Sequence, residues 1–248
     1  MLWRKLELNW RYAIGEFAIV VLGVLTALWV ENWNSERKDR QLEAEYVVAL
    51  LDDLSKDEFA LERNLTITEE LVAYIQRTLE IMDGSFEPAD AQEIVFAASN
   101  ASRYTFAAQS RDTYDDLLST GNLRIIEDDA VRSSISGYYS DWDFRAQWRD
   151  NWRSYQTDFL NVLPDVIDPV VRDAVFFEGR ETPWTVEEVE FSTVDARELI
   201  ARFNNHPTMR KALHNMRRAH GLNYDFAKIS LDNARALETV LNNYLESL

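Results

Sequence analysis

The run of apolar and polar positions divides this chain near its start. Residues 17 to 30, FAIVVLGVLTALWV, carry no charge, and extending back through Tyr12-Ala13-Ile14-Gly15 takes in one carboxyl, Glu16. From Tyr12 to Trp33 a rise of about 1.5 Å per residue makes roughly 31 Å, which matches the hydrocarbon thickness of a bilayer. The pattern therefore predicts a transmembrane helix over 12–33. Aromatic residues stand where its interfaces would fall, Trp10 and Tyr12 at one end and Trp29 and Trp33 at the other. A cleaved signal peptide is the rival reading. The small residues of a cleavage site do not follow the apolar run, because Ala27 comes after Leu25 and Thr26. Ahead of the span, Leu2, Trp3, Leu6 and Trp10 recur at helical spacing with Arg4, Lys5 and Arg11 between them, so residues 1–11 read as a short interfacial helix.

Beyond the span, no Gly or Pro occurs between Asn34 and Gly84, and the apolar residues follow a heptad. Steps of seven meet Val47, Leu54, Leu61, Thr68, Ile75 and Met82, with Leu51, Glu58, Leu65, Val72 and Leu79 as companions. One long helix is expected, packed in the chain's own bundle or used as a coiled coil for self-association. Gly84 and Pro88 end it. Residues 89–102 then read as a small-residue helix and 103–112 as a connector. Thr113 with Asp116 offers a capping box for a short helix stopping at Gly121. A further helix should run from Glu127-Asp128-Asp129 to Pro164, with Tyr138, Trp142, Trp148, Trp152, Tyr155 and Phe159 along one stripe. Ser192 with Asp195 marks another helix start, and Pro207 suits the first turn of the last helix. That helix carries Leu213, Met216, His220, Ala227, Leu231, Ala234, Leu241, Leu245 and Leu248, and should pack antiparallel on the first long helix or on the aromatic one.

Composition strengthens this picture. Seven Gly and five Pro in 248 residues leave few strong turn formers, so the expected fold is all-α: a transmembrane helix followed by an antiparallel bundle over 34–248. Residues 1–33 hold three basic and three acidic side chains, which places the entire net charge of −17 in the bundle. So acidic a domain repels phosphate backbones and anionic lipid headgroups, which argues against nucleic-acid partners and against peripheral polybasic docking of the bundle. With no cysteine, disulfides, zinc-thiolate sites and thiol catalysis are excluded.

No phosphate-binding glycine loop, dinucleotide fingerprint, GxSxG elbow or HExxH is present. His206, His214 and His220 stand eight and six apart, so no two share a helix face as metal ligands, and none follows a glutamate by three. Pairs such as Asp52-Asp53, Asp115-Asp116 and Asp128-Asp129 arise readily among 43 acids, and helix neighbours point apart. The expectation is a non-enzyme with no metal or other cofactor. His220, on an apolar stripe, reads as a hydrogen-bonded core or boundary residue. Arg210, Lys211, Arg217 and Arg218 read as partners for neighbouring acids. Trp142, Trp148, Trp152 and Tyr155 are core residues or the lining of an aromatic pocket. Glu16 is a tolerated acid near the interface or a polar contact to another membrane helix. Gly15 and Gly23 permit close helix approach, although their spacing makes no GxxxG.

Two segments resemble a family of uncharacterised bacterial single-pass membrane proteins defined by a domain of unknown function. One is YAIGEFAIVVLGVLTALWVENWNSERK, similar to a pattern of Ile-Gly-Glu, an apolar run and Asn-Trp-Asn. The other is TYDDLLSTGNLRIIEDDAVRSSISGYY, similar to a pattern of Leu, Ser-x-Gly, Leu and Tyr-Tyr. Where such members often have Asn-Asn before the tryptophan, this chain has Glu31-Asn32. The resemblance implies a membrane-anchored helical protein and lends no catalytic residue. It makes Gly15, Glu16, Asn32, Trp33 and Asn34 a unit, and Ser119, Gly121 and Asn122 a shaped turn, with Gly121 left-handed and Ser119 bonded to nearby backbone.

Two functions compete. The first is an accessory subunit binding itself or another membrane protein through its anchor and long helix. The second is a ligand-sensing bundle with an aromatic pocket. The short basic tail before the span is easier to retain than to translocate, so the expected location is the bacterial inner membrane with the bundle in the periplasm.

Overall fold

The computed structural model describes the backbone from Trp10 to Leu248 and the side chains from Ile14 onward. Most of the interfacial segment 1–11, and the side chains of Trp10 and Tyr12, lie outside the described residues. The described residues hold eight α-helices and three 3-10 turns and no strand, the expected all-α class.

The first helix, α1 (Trp10–Asp83), is 74 residues long. At about 1.5 Å per residue it spans roughly 110 Å. It runs unbroken through the boundary expected near residue 33, because Glu31 to Gln41 are residues a helix tolerates, without Gly or Pro to stop it. The boundary lies in burial and not in the backbone. From Ile14 to Gln41 every side chain is exposed except Val21, which is partly covered; from Glu43 onward buried positions recur. Gly84, at φ +71, ends the helix in the left-handed region, and the Ser85 and Phe86 N–H groups bond the Glu80 carbonyl.

The last helix, α8 (Met209–Ser247), lies antiparallel along α1. Its pairings run in opposite directions: Arg210 to Asp83 at 2.6 Å, Arg217 to Gln76 at 3.2 Å, Arg235 to Glu62 at 2.6 Å, and Tyr244 to Glu43. The basic residues Arg210 and Arg217 thus find partners on α1. The carboxyl end of the chain returns to where α1 enters the bundle.

The heptad positions Val47, Leu54, Leu61, Thr68, Ile75 and Met82 are all buried, and the covering elements belong to this chain. The second buried column differs from the expected one. It follows three residues after the first, at Leu50, Asp57, Asn64, Leu71 and Thr78, with Glu43 one heptad earlier, each 2 % exposed or less. Of the expected companions, only Leu79 is fully buried. Several true positions are polar, so a search for apolar companions passes over them.

Between these helices the chain forms α2 (Ala91–Ala101), α3 (Asp112–Thr120), α4 (Asp129–Ala146), α5 (Arg149–Val162), α6 (Pro169–Phe176) and α7 (Ala196–Asn205). Asp90, Asp128 and Asp168 each cap the helix they precede. Four expectations need correction. The capping box at Thr113 and Asp116 does not form; the Thr113 N–H donates instead to Asp53 on α1, at 3.2 Å. The helix expected from 127 to 164 breaks at Gln147-Trp148 into α4 and α5. Asp195 itself caps α7, while the Ser192 hydroxyl turns to Glu190. Pro207 lies just outside α8, which has Thr208 at its cap position.

Two apolar clusters fill the bundle. The one nearer the anchor joins Val47, Leu54 and Leu61 to Leu117, Ile135, Tyr139, Leu237 and Leu241. The other joins Ile75, Leu79 and Met82 to Ile94, Phe159 and Phe203, and to Met209, Leu213 and Met216 on α8. Polar residues Asn64, Thr68, Asn223 and His220 lie buried between them in sequence along α1 and α8.

Candidate functional site

The anchor half of α1 is bare. Phe17 is 71 % exposed and Ile19 72 %, and none of its most apolar window is covered by the rest of the chain. Among the described residues this is the one helix long and apolar enough to cross a membrane. At about 100° per residue, Glu16, Gly23, Ala27 and Asn34 fall within roughly 20° of one line along the helix. Two polar residues therefore bracket two small ones on a single face. A side chain at Gly15 or Gly23 would meet nothing within 4 Å, so the face is open to a neighbour. Leu22, Gly23, Thr26, Ala27, Val30 and Asn34 line a shallow cleft there, together with Glu31 and Trp33. Thr26 bonds the Leu22 carbonyl at 2.8 Å, so its hydroxyl is already satisfied within the helix. Trp29 and Trp33 stand exposed near the exit.

Where α1 enters the bundle, its polar side chains catch the segment between α2 and α4. Glu43 accepts from the Glu127 N–H at 2.7 Å and from the Tyr244 hydroxyl. The Tyr46 hydroxyl donates to Asp116 at 2.8 Å and accepts from Asn122 at 2.9 Å. The shaped turn is thereby tied to α1: Gly121 has φ +73, Ser119 bonds the Asp116 carbonyl at 3.1 Å, and Asn122 reaches Tyr46. Further along, Asp57 accepts from the Ser110 N–H at 2.6 Å and the Tyr138 hydroxyl at 2.7 Å. The Asn64 amide oxygen, turned to the connector, accepts from the Phe106 and Ala107 N–H groups at 3.2 Å. α1 is thus a row of acceptors for an otherwise irregular stretch of backbone.

The electrostatics of this row follow from burial. Burial pushes the Asp57 carboxyl above the usual carboxylate range, and its bonds to Ser110 and Tyr138 only partly offset that. Burial acts on Asp53 in the same direction, but there the Thr113 and Lys56 hydrogen bonds win and the carboxyl lies low. Tyr138 is raised by burial and by the neighbouring Asp57 charge. The role of Asp53 and Asp57 as buried acceptors for the 110–113 backbone was not read from the sequence. Their signal was available in the heptad register, which places Asp57 three residues after Leu54 on the buried side.

His220 is fully buried, and neither ring nitrogen makes a well-formed hydrogen bond, although the Arg103 backbone lies beside the ring and partly offsets its burial. Its ring lies 5.2 Å from that of Tyr104, whose buried hydroxyl is also unpaired. Burial holds the imidazole down to about 4, so it is neutral at physiological pH.

The break between α4 and α5 divides the aromatic stripe. Trp142 and Trp152 come together through Phe226, with edge-on rings at 6.0 and 6.1 Å. Trp148 is 50 % exposed, outside this group, and Tyr155 packs on the cluster farther from the anchor. The crevice beside Trp142 and Trp152 has a volume of about 20 Å³, which is room for one water. Arg145 and Arg149 line it, and Arg149 also stands over the Phe106 ring at 5.4 Å.

Together these features define an all-α bundle built on a helix that is long and apolar enough to cross a membrane. The chain belongs to a family of unknown function, DUF6090, which matches residues 16–162. That agrees with the uncharacterised family expected from the two motifs, and the match covers the apolar run from Glu16 onward, the connector, the shaped turn and α2 to α5. No curated protein and no solved structure matches the chain.

Proposed function

We propose that the chain is a membrane-anchored accessory subunit of a larger membrane complex, acting by binding and not by catalysis. The observation that carries this reading is the continuity of α1. The half that is bare and apolar belongs to the same helix as the half around which the bundle is built. A contact made by the anchor is therefore joined to the bundle through rigid helix. The heptad face is covered by the chain's own elements, which leaves the anchor face as the contact surface of the reading. Small residues at Gly23 and Ala27 allow close helix packing, and Glu16 and Asn34 can hydrogen-bond at its two ends. Two parallel copies meeting on this face would bring their Glu16 carboxylates together at one depth. A different helix with a donor at that depth suits the face better than a second copy.

In this reading the anchor lies in a bacterial inner membrane, with the basic residues that precede the span inside and the bundle in the periplasm. Asp53 and Asp57 have a structural role, supported by their bonds to the 110–113 backbone. The ligand-sensing alternative has less support, since the crevice at Trp142 and Trp152 has room only for water.

Extraction from native membranes in mild detergent, followed by mass spectrometry of what co-purifies, tests the reading. A stoichiometric membrane partner is expected, lost when residues 1–33 are exchanged for an unrelated anchor. Glu16→Gln should retain the partner and Glu16→Leu should weaken it. A lone monomer that crosslinks to nothing in cells removes the reading in favour of a ligand-binding domain. Phosphatase and fluorescent-protein fusions at Leu248 decide the orientation.

A further inference from the structure

From the cleft at the exit of the anchor we infer a binding site for the phosphate of an anionic phospholipid headgroup, formed by Arg37 and Arg40 beside Trp33. The inference rests on the membrane reading of the anchor and adds a ligand to it. Trp33, Glu36, Arg37 and Arg40 line one exposed cleft on α1, just past the end of the apolar run. At about 100° per residue, Arg37 and Arg40 lie within roughly 40° of Trp33, on a face roughly 100° from the Gly23 and Ala27 line. Trp33 lines both this cleft and the one at Gly23 and Ala27, so a lipid and a partner helix would meet at that ring.

Three observations favour a phosphate. First, Arg37 and Arg40 share one exposed cleft just past the apolar run and make no ion pair among the described residues, although Glu36 lies four before Arg40. Second, helical side chains lean toward the amino terminus of their helix, and on α1 that is the direction of the anchor. Third, at about 1.5 Å per residue Arg37 and Arg40 sit roughly 6 and 10 Å beyond Trp33, within reach of headgroups for a long side chain leaning back. The guanidinium fork matches phosphate oxygens in pairs, and Trp33 at the interface supplies an apolar wall for the lipid below it. Glu36 at the cleft edge sets a requirement: the ligand must offer enough negative charge to hold both arginines against it. A zwitterionic lipid, whose own cation competes, meets that requirement poorly.

The test uses the full chain in nanodiscs of equal phosphatidylcholine and phosphatidylglycerol, with native mass spectrometry counting the lipid retained by each released chain. Retention of the anionic lipid over the zwitterionic one is expected, falling about tenfold in Arg37→Gln/Arg40→Gln. Arg37→Lys/Arg40→Lys should keep part of it, and Arg4→Gln/Lys5→Gln should keep the portion owed to the exit cleft. Unchanged anionic retention in the double glutamine variant overturns the inference. Displacement of the lipid by millimolar inorganic phosphate overturns the lipid assignment. Flotation of the same chain with pure phosphatidylcholine vesicles, resistant to alkaline carbonate, checks the anchor separately: failure to float removes the membrane reading, while flotation without an anionic preference removes only the headgroup site.

Discussion

The two halves of α1 share one backbone and carry opposite surfaces. From Ile14 to Val30 the apolar side chains stand uncovered, while from Glu43 to Thr78 the buried column includes two carboxylates, an amide and a hydroxyl. Residue type therefore does not report burial along this helix. In the first half no described residue covers the apolar surface, on a helix long and apolar enough to cross a membrane. In the second half polar groups are tolerated inside because each is hydrogen-bonded: Glu43 accepts from Glu127 and Tyr244, Asp57 from Ser110 and Tyr138, Asn64 from Phe106 and Ala107, and the Thr78 hydroxyl donates to the Tyr74 carbonyl of α1 itself. The apolar half is left uncovered by the described residues, and the bundle half is packed against elements of its own chain.

The comparison can be broken most sharply by truncating one apolar residue in each half. Leu61→Ala should cost about 2 to 5 kcal/mol, read by denaturant titration of the full chain in mild detergent with circular dichroism. Leu25→Ala should leave the same transition unmoved, because no part of the bundle touches it. Equal losses would mean that the halves are not distinct. Next, Asp57→Ala leaves the Ser110 N–H and the Tyr138 hydroxyl without an acceptor and should cost about 3 kcal/mol. Asp57→Asn, which keeps an acceptor oxygen, should lose less; an alanine variant as stable as the parent would remove the acceptor-row account.

Acid titration sharpens the polar half further. The folded His220 has its pKa lowered to about 4 from an ordinary 6.5. Between those values the unfolded chain holds a proton that the folded chain rejects. Its contribution is therefore complete above pH 6.5 and is lost as pH falls toward 4, by at most about 3 kcal/mol. Asp57, raised by burial, acts with the opposite sign and favours the fold as pH falls. His220→Leu should flatten the loss between pH 6.5 and 4, and an unchanged profile would show that the imidazole is hydrated in solution. The smallest effect belongs to the shaped turn. Gly121→Ala forces a side chain into φ +73 and should cost about 1 kcal/mol, although space around it is open.

Sequence alone determined the features that depend on neighbours along the chain. The charge-free run and its length set a stretch apolar enough to cross a membrane, the absence of Gly and Pro kept α1 helical, and Gly84 and Gly121 placed their turns where only glycine takes a positive φ freely. The exposed apolar stretch that carries Gly15, Glu16, Gly23, Trp29 and Trp33 was legible for the same reason. Tertiary structure decided the rest. Asp57 and Asn64 entered the buried column because the connector brings unpaired N–H groups to them, and nothing within α1 announces that. The Thr113 end of α3 took its cap from Asp53, sixty residues away, in preference to a local box. The break at Gln147-Trp148 carries no Gly or Pro, and it lets Trp142 and Trp152 both reach Phe226 while leaving Trp148 outside. Helix propensity acts over a few residues, whereas the pairing of a buried polar group is set by whichever distant segment arrives beside it.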